Sequence, residues 1–428
     1  MPTPSLILVP ARFKTGKLYT PLATTSGGTV LGASGDFNVT RATSATRVNS
    51  AGLIESVASG IPRLDYFASG GVVGCPALLV EPAATNTLSG SVSIDTGWIS
   101  TNEAQTSGIV SPSGSNNASL FEAQSTTTRV RQTATLASGS TYTFSCFGKF
   151  GALSSGFLLN VFDENVTGYS SGVVQAFNLN NGTLGSSGTV GAGFTLQSVG
   201  MEDYGNGWYR CRMTVLMGYT PTTPRVGFRI GTAISGGRPI SVVSGTVNVW
   251  GAQLETGSVA TSYIPTTTAS VTRNADVINL SGAVSGCIGQ TEGTIYLETN
   301  ALISGASDLF SFARATTNTV SITKNSSNII QSTVYTSGPS PALNIASSGT
   351  VSGNLKIAVA YKTGESALYI NGVQIGTSST AFSFTAALTQ ININPTGFFE
   401  GIGNQRIRTL SLYTTRLTNA QLAALTTL

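Results

Sequence analysis

The chain reads Trp-Gly-Ala-Gln-Leu-Glu-Thr-Gly-Ser-Val-Ala-Thr-Ser-Tyr over residues 250–263, followed by Ile264 and Pro265. A strand is predicted over Thr246–Leu254, and Gly257 breaks it with a turn. Pro265 has no N–H to donate to a β-ladder, so the strand pattern stops there. Because β-patterned regions lie on both sides, we interpret this stretch as the last strand of one β-sandwich and the hinge into the next.

Composition favours an all-β chain. Only 9% of the 428 residues are charged, against roughly 25% in ordinary soluble proteins. Hydrophobic residues make up 40%, which is too many for a disordered chain. Ser, Thr, Asn and 50 Gly take the place of the charges. These residues favour strands and turns over helices.

Several site types are excluded or disfavoured by what the sequence lacks. There is no His, which removes Ser-His-Asp and Cys-His catalysis and the commonest metal ligand. The four cysteines, Cys75, Cys146, Cys211 and Cys287, form no CxxC pair, so a zinc site is not expected. Cys146 and Cys211 lie on apolar faces and are predicted to be buried free thiols, with a disulfide between them as the alternative. We predict no catalytic residues, no metal and no cofactor.

Charge and hydropathy bear on partners and location. The formal charge is +4 without any Lys/Arg run, so no nucleic-acid partner is expected. The apolar run Leu6–Pro10 is short and precedes its basic residues, unlike a signal peptide. No apolar stretch is long enough to span a bilayer, so membrane insertion is not expected.

Three regions are predicted, with boundaries at 1–85, 86–280 and 281–428. Residues 1–85 are irregular, with short strands at Ser5–Val9 and Leu78–Glu81. They contain a cluster of the rare charges, interpreted as ion pairs that pin loops together rather than as a ligand site: Arg41, Arg47, Glu55, Arg63, Asp65 and Glu81.

The second region has the spacing of a β-sandwich or jelly roll. Asn180-Asn181-Gly182 and Gly205-Asn206-Gly207 are turn signals. The predicted strands are Gln132–Ala137, Thr141–Phe150, Phe157–Phe162, Trp208–Leu216, Arg225–Ile230 and Val242–Leu254.

The third region has a hairpin signal at Asn371-Gly372 within Ala367–Ile375. Further strands are predicted at Gly293–Thr299, Asn354–Lys362 and Gln405–Tyr413. Thr418 and Gln421 fit a capping box that opens a short C-terminal helix, Asn419–Leu425. The predicted fold is thus all-β: an irregular N-terminal region, two β-sandwich domains and one short helix.

Several segments resemble tailed-bacteriophage virion proteins of the tail-fibre, tailspike or head-fibre kind. In the first region they are Arg41-Ala42, Gly52–Glu55, Pro62–Tyr66, Leu78–Ala83 and Thr85-Asn86, which look like scaffold. In the second region Gly205–Arg210, Trp250–Glu255, Ser262–Thr266 and Thr272–Asp276 resemble a carbohydrate-binding-type jelly roll. In the third, Ala358–Tyr361, Leu368–Gly372 and Leu412–Leu422 resemble a concanavalin A-like, or laminin-G-like, lectin domain.

This resemblance implies a non-enzymatic phage structural protein, a tail or head fibre made in the host cytoplasm and located in the virion. It implies attachment to other virion proteins through residues 1–85, a homotrimer, and lectin-like modules that adhere to host-surface glycan. Two alternatives stay open: a purely architectural decoration protein without a ligand, and a glycan depolymerase.

The carboxylates do not favour the depolymerase. Glycan-cleaving enzymes of the concanavalin A-like fold carry a Glu-x-Asp-x-x-Glu strand pattern, and this chain has none. Asp163 and Glu164 are adjacent, so on a strand they point to opposite faces. With Asn165 they form the best local calcium cluster, but a solvated hairpin tip is the preferred interpretation.

Exposed aromatic rings are the usual platforms for sugars. Trp98, Tyr204, Trp208 and Tyr219 lie beside Gly, Asn or Thr and are the candidate carbohydrate-binding residues. For Trp208 a core position is the stronger alternative, and Trp250 is assigned to the core.

Overall fold

In the computed structural model the chain is all-β, as predicted, with one short α-helix among the described residues. The structure describes residues 1–428 except 96, 154–155, 166–167, 243, 302–306, 315–317, 326, 338–339 and 394–403. Its large sheets are antiparallel and pack as two β-sandwiches.

The first sandwich, here the inserted sandwich, is formed by residues 99–256. One six-stranded sheet has the order Ile99–Thr101, Arg129–Thr133, Pro224–Ile230, Gly156–Asn165, Gly168–Asn178 and Thr183–Val190. The other has the order Glu103–Val110, Asn116–Ala123, Thr246–Thr256, Thr141–Phe150, Trp208–Met217 and Phe194–Asp203. Thr246–Thr256 is its last long strand in chain order, as the opening stretch predicts.

The second sandwich, here the split sandwich, draws its strands from both ends of the chain. One sheet follows the order Val373–Ser378, Ser366–Ile370, Asn354–Lys362, Glu292–Ala301, Gln405–Tyr413, Leu6–Leu8 and Leu22–Ala23. Gly71–Val80 also pairs with Gln405–Tyr413, and Arg63–Ala68 pairs with Gly71–Val80. The facing sheet runs Phe13–Lys14, Lys17–Leu18, Phe37–Thr40, Val277–Ser281, Gln390–Ile393, Ser307–Arg314, Asn318–Lys324, Ile330–Tyr335 and Leu343–Ala346.

Residues 1–85 therefore do not lie apart as the sequence boundaries suggest. Leu6 pairs with Leu412, and Val39 pairs with Ile278. Their buried side chains share one core with those of residues 278–412. The sequence did not show this because strands such as Leu6–Leu8 and Phe37–Thr40 are only three and four residues long and their partners are hundreds of residues away. The inserted sandwich thus interrupts the split sandwich in sequence.

Short elements complete the fold. Two-stranded ribbons join Ala84–Asn86 to Val271–Arg273, Ala45–Val48 to Ile54–Val57, and Ala233–Ser235 to Arg238–Ile240. Turns of 3-10 helix lie at Gly32–Gly35 and Ala283–Cys287. The α-helix spans Asn419–Thr426 and packs Leu422 against the outer face of the split sandwich.

Most local predictions for the two sandwiches are confirmed. Thr141–Phe150, Asn354–Lys362 and Gln405–Tyr413 have the predicted bounds. The capping box at Thr418 is present, with both reciprocal hydrogen bonds. The strand predicted at Gln132–Ala137 is displaced and lies at Arg129–Thr133.

Candidate functional site

The chain leaves the split sandwich through residues 82–87 and returns through residues 257–276, and the two crossings lie side by side. Ala84–Asn86 pairs with Val271–Arg273. The Asn86 side chain donates to the carbonyls of Ala252 (3.1 Å) and Ile264 (3.0 Å), so it joins both crossings to the last strand of the inserted sandwich. We call this region the joint.

A buried ionic cluster holds the joint together. Arg63 donates to Glu81 at 2.7 Å and also to Asp276, while Arg41 donates to Asp276 at 2.8 Å. Arg273 lies 2.7 Å from Glu81. All five side chains are at most 2% exposed. The cluster ties residues before the inserted sandwich to residues after it, which confirms the ion-pair interpretation of the N-terminal charges.

The cluster keeps Glu81 ionised. Burial alone would raise the pKa of the Glu81 carboxyl, but Arg273, Arg63 and the Ser262 hydroxyl together hold that pKa far below its ordinary value. Arg63 is likewise held as a cation, because the nearby carboxylates outweigh burial and raise its pKa. A buried charge is tolerable only when paired and hydrogen-bonded in this way.

The loop of residues 257–263, the hinge of the opening stretch, is fixed from three sides. Glu81 accepts from the backbone N–H (2.7 Å) and the hydroxyl (2.6 Å) of Ser262. Glu255 accepts from the backbone N–H of Thr261 at 3.0 Å. Arg210 donates to the Thr261 carbonyl at 2.6 Å and to the Ser145 hydroxyl at 3.0 Å. Resemblance segments of the first two regions, Leu78–Ala83, Gly205–Arg210 and Trp250–Glu255, therefore meet at this loop.

Aromatic packing supports the joint on the side of the inserted sandwich. Phe147 lies in edge contact with Trp250 (5.3 Å between centroids), Tyr204 (4.9 Å) and Tyr263 (6.2 Å). The Arg210 guanidinium lies 5.4 Å from the Phe147 ring centre. Trp250 is 2% exposed and belongs to this cluster, as predicted.

Beside the joint lies a cleft of about 320 Å³, which we call the interlobe cleft. Its walls come from the Ala45–Val57 hairpin and Asp65 of the N-terminal part, from Ser198–Arg212 of the inserted sandwich, from the loop 258–263, and from Asn404 and Arg406. A cavity of this size is at the lower end of the range for small-molecule sites.

Two arginines that line the cleft, Arg47 and Arg212, each have a carboxylate neighbour, of which Glu202 also lines the cleft and Glu55 does not. Arg47 contacts Glu55 at 2.8 Å, and Arg212 lies 4.0 Å from Glu202. The Arg212 guanidinium lies over Gly200, where an added Cβ would approach it to 2.5 Å. Glycine at position 200 therefore makes room for this arginine on the cleft wall.

Asp65 and Glu81, two further carboxylates that line the cleft, are held by ion pairs and hydrogen bonds within the protein. Asp65 accepts from the backbone N–H of Val48 at 2.8 Å and from Arg406 at 2.6 Å. Arg406 in turn lies 4.9 Å from the centre of the Phe67 ring. Glu81 is held by the ionic cluster, so Glu202 is the remaining carboxylate among the described residues that line the cleft.

The four predicted carbohydrate-binding residues lie in different places. Tyr204 lines the cleft and is half-buried against Phe67 (4.5 Å), and burial raises its pKa to about 12. Trp208 is 3% exposed and packs in the aromatic cluster of Phe147 and Trp250, which agrees with the alternative that Trp208 belongs to the core. Tyr204 and Trp208 also border a small pocket of about 130 Å³ with Gly205 and Asn206.

Trp98 and Tyr219 lie away from the cleft, in the inserted sandwich. Trp98 is half-buried 6.0 Å from Phe228, and its indole N–H has no hydrogen-bond partner among the described residues. The Tyr219 hydroxyl donates to Asp163 at 3.1 Å, and its ring lies directly over Gly193 and beside Phe194. The structure thus brings together only Tyr204 and Trp208 of the four.

The sequence places Arg47 in the N-terminal charge cluster but not in a binding site, and it does not identify Glu202 or Arg212. The scarcity of charged residues could have pointed to them. Because only 9% of the residues are charged, the charges on three distant segments are few enough to be considered together as candidates for one site. What the sequence lacked was the register that brings those segments together.

The solvated hairpin tip preferred for Asp163 is wrong, because Asp163 is buried and hydrogen-bonded. The same contacts bear on the calcium alternative, and the state of the cysteines bears on the disulfide alternative. Asp163 accepts from the backbone N–H groups of Thr222 (3.2 Å) and Thr223 (2.7 Å), whereas Glu164 contacts arginines on the opposite face. No group of three metal-ligating side chains occurs in the part of the chain that the structure describes. Cys146 and Cys211 are paired in register yet are free, buried thiols, and burial raises both pKa values.

Among the described residues, no helix has the length and apolar character needed to cross a membrane. No family model and no curated protein sequence matches the chain.

Solved structures give partial likenesses. The botulinum neurotoxin DC binding domain in complex with rat synaptotagmin II matches at 13% identity and a TM-score of 0.31, over 36% of this chain and 40% of that one. The CBM40 module of the Ruminococcus gnavus IT-sialidase, bound to α2,3-sialyllactose, matches at 15% identity and 0.28, over 33% and 84%. A leech intramolecular trans-sialidase matches at 16% identity and 0.29, over 35% and 26%. Scores of this size do not establish a shared fold, so function is argued from this chain's own residues.

Proposed function

We propose that this chain is a non-enzymatic glycan-binding protein of a bacteriophage virion, and that the interlobe cleft is its saccharide site. The observation that carries the proposal is the cleft itself: about 320 Å³, beside a fixed joint, with Arg47, the Arg212–Glu202 pair and the Tyr204 ring on its walls. Amide, guanidinium and carboxylate groups suit sugar hydroxyls, and an aromatic ring suits the apolar face of a sugar.

Preorganisation supports binding at this place. The loop of residues 258–262 is held by Glu81, Glu255 and Arg210, so a ligand would not have to pay for ordering it. The charges of the wall arginines are balanced, since Arg212 lies beside Glu202 on the wall and Arg47 is paired with Glu55 next to it. The cleft therefore suits a neutral saccharide that both donates and accepts hydrogen bonds.

The carboxylates support binding without hydrolysis. Glycoside cleavage uses two carboxyl groups, one of which is kept protonated by a raised pKa. Glu81 has its pKa lowered, the opposite of what a general acid needs, and Asp65 is occupied by Arg406 and the Val48 N–H. Glu202 has Arg212 as its neighbour rather than a second accessible carboxylate.

The virion assignment rests on the sequence segments that resemble phage tail and head fibres. It carries with it the proposals of a homotrimer and of attachment to other virion proteins through the surface of residues 1–85. In such a protein the cleft would adhere to the host-surface glycan that the particle meets first.

Binding of the full chain to an array of purified bacterial capsular and O-antigen polysaccharides tests the proposal. We expect saturable binding to one or a few polysaccharides, lost by at least about tenfold in Arg212→Gln, which removes about 1.4 kcal/mol or more. Arg408→Gln changes an exposed arginine of the split sandwich that does not line the cleft and serves as the matched control. Release of reducing sugar by the wild-type chain, or equal binding by both variants, would contradict the proposal.

A second candidate, a purely architectural decoration protein, is favoured by one observation. Segments that carry the resemblance place three of their charged residues, Arg63, Glu81 and Asp276, in the buried joint, where ion pairs engage them. Silence across the array, together with an ordered position on the particle, would favour this candidate.

A further inference from the structure

Four arginines share the outer face of one sheet of the inserted sandwich. Arg129 and Arg131 alternate with the core residue Val130, and Arg225 and Arg229 alternate with the core residue Phe228. The two strands are adjacent, with Arg131 opposite Gly227. The guanidinium groups therefore project from the same side of the sheet, away from the core. We call them the arginine face.

One carboxylate serves three of these arginines. Glu164 lies 2.9 Å from Arg131, 3.0 Å from Arg225 and 3.6 Å from Arg129. Arg131 also donates to the Thr101 hydroxyl, and Arg225 to the Thr133 hydroxyl. Three guanidinium groups therefore share one carboxylate. The side chains of Arg129, Arg131 and Arg225 are 25%, 12% and 15% exposed.

Two buried polar atoms on this face lack partners among the described residues. The Nε of Arg129 has none. The Oδ1 of Asn160 has none either, although Asn160 is only 2% exposed. Asn160 alternates with the core residues Leu159 and Val161, so it shares the outer face, and it pairs in register with Gly227, opposite Arg131.

The electrostatics of the cluster favour binding of an anion. The pKa of Arg129 is lowered, first by burial and then by repulsion from Arg131, and Glu164 offsets this only in part. An added anion would relieve that repulsion, because it would supply the negative charge that Glu164 shares among three cations.

The rest of the face is apolar and covered. Leu158, Val174 and Ala176 form a small cluster on the same side of the sheet, and Ile234 of the Ala233–Ile240 ribbon packs on it. The accessible area is therefore confined to the arginine half, which is a few side chains wide. That area suits one charged sugar unit better than an extended polyanion, which needs a long basic track.

We propose that the arginine face is a second binding site, independent of the interlobe cleft, for the anionic group of an acidic saccharide. The guanidinium groups of Arg129, Arg131 and Arg225 would hold the carboxylate or phosphate, and Asn160 would accept a hydrogen bond from a neighbouring sugar hydroxyl. Arginine is the side chain best suited to bidentate contact with such groups.

Isothermal titration of the full chain tests the proposal with four probes. They are an oligogalacturonate, its neutral methyl ester, a phosphate-bearing oligosaccharide of the same length, and inorganic phosphate. We expect at least one of the two acidic saccharides to bind, at least about tenfold more tightly than the methyl ester and more weakly as salt is raised. A preference for one of the two acidic forms distinguishes a carboxylate from a phosphate ligand, and binding of neither overturns the proposal. Inorganic phosphate alone is expected to bind more weakly, because it lacks the hydroxyl for Asn160.

Arg129→Gln is the test variant because Arg129 makes the longest contact to Glu164 and its Nε has no partner to lose, so the fold does not depend on it. It is expected to weaken the acidic saccharide at least about fivefold, which is about 1 kcal/mol. Arg408→Gln and the cleft variant Arg47→Gln are expected to leave that affinity unchanged. Equal affinity of Arg129→Gln and Arg408→Gln, or equal binding of the ester and the acid, overturns the proposal. A loss in Arg47→Gln instead would assign the anion to the cleft and overturn it as well.

Discussion

Replacing Arg63 by methionine is the sharpest test of the joint. Methionine keeps much of the aliphatic volume but removes the donors to Glu81, Asp276, the Ser262 hydroxyl (2.8 Å) and the Thr46 carbonyl (3.2 Å). Two buried carboxylates then lose a cation that is 0% exposed. Breaking a buried pair by removing one partner costs about 3–5 kcal/mol. Against a typical stability of about 5–15 kcal/mol, that is a large fraction of the total.

The matched control is Arg47→Met. The Arg47 side chain is 19% exposed and that of Glu55 37%, and such a pair contributes about 0–1 kcal/mol because water screens it. Urea unfolding followed by far-ultraviolet circular dichroism gives both free energies of unfolding. We expect Arg63→Met to lose about 3 kcal/mol or more and Arg47→Met at most about 1 kcal/mol. Equal losses in the two variants would refute the assignment of the ionic cluster as the clamp of the joint.

Three further outcomes follow from the contacts. Because folding lowers the pKa of Glu81 from its ordinary 4.5, the stabilisation from this carboxylate is complete above about pH 4.5 and is lost as pH falls toward the lower folded pKa. Glu81→Gln should therefore lower the free energy of unfolding at pH 7 and weaken the dependence of that free energy on acid pH. Urea titrations between pH 3 and 7 measure both effects. In a thiol-reagent assay Cys75, which is exposed, should react in the native chain, while Cys146 and Cys211 should react only after unfolding; fast reaction of all would be contrary. Thr418→Ala removes the cap of the C-terminal helix, at about 1 kcal/mol, and should speed amide exchange in Asn419–Thr426 but not in Asn354–Lys362.

The sequence predicts those elements whose signals lie within a few residues of one another. The Asn371-Gly372 hairpin and the Thr418 capping box depend on residues within a few positions of each other, and both are confirmed. A long strand such as Thr141–Phe150 is predicted because its apolar and polar side chains alternate with the period of two that is typical of a strand.

The pairing of the N-terminal strands could not be predicted, because it joins residues that are far apart in the sequence. Leu6–Leu8 is a three-residue strand that pairs with Leu410–Leu412, and nothing local identifies that partner. The interlobe cleft depends on the same register, since it gathers the Ala45–Val57 hairpin, the Arg212 strand and the hinge loop. Tyr204 was found because it lies beside a turn signal, whereas Arg47 and Arg212 carry no local mark.

The separation of clamp and binding surface is the physical lesson of the joint. Buried ions such as Arg63 and Glu81 are committed to each other, and their fixed charges position the loop of residues 258–262. The neighbouring pairs, Arg47 with Glu55 and Arg212 with Glu202, remain partly exposed and can exchange partners with a ligand. Stability and recognition are therefore carried by different members of one charged region.

Hydrogen–deuterium exchange of the full chain, with and without the polysaccharide selected on the array, tests the central claim most directly. If that saccharide occupies the interlobe cleft, exchange should slow in residues 198–204 and 258–262, which line it, and stay unchanged in Asn354–Lys362. Protection confined to other segments, with the cleft walls unaffected at saturating saccharide, would contradict the cleft as the glycan site.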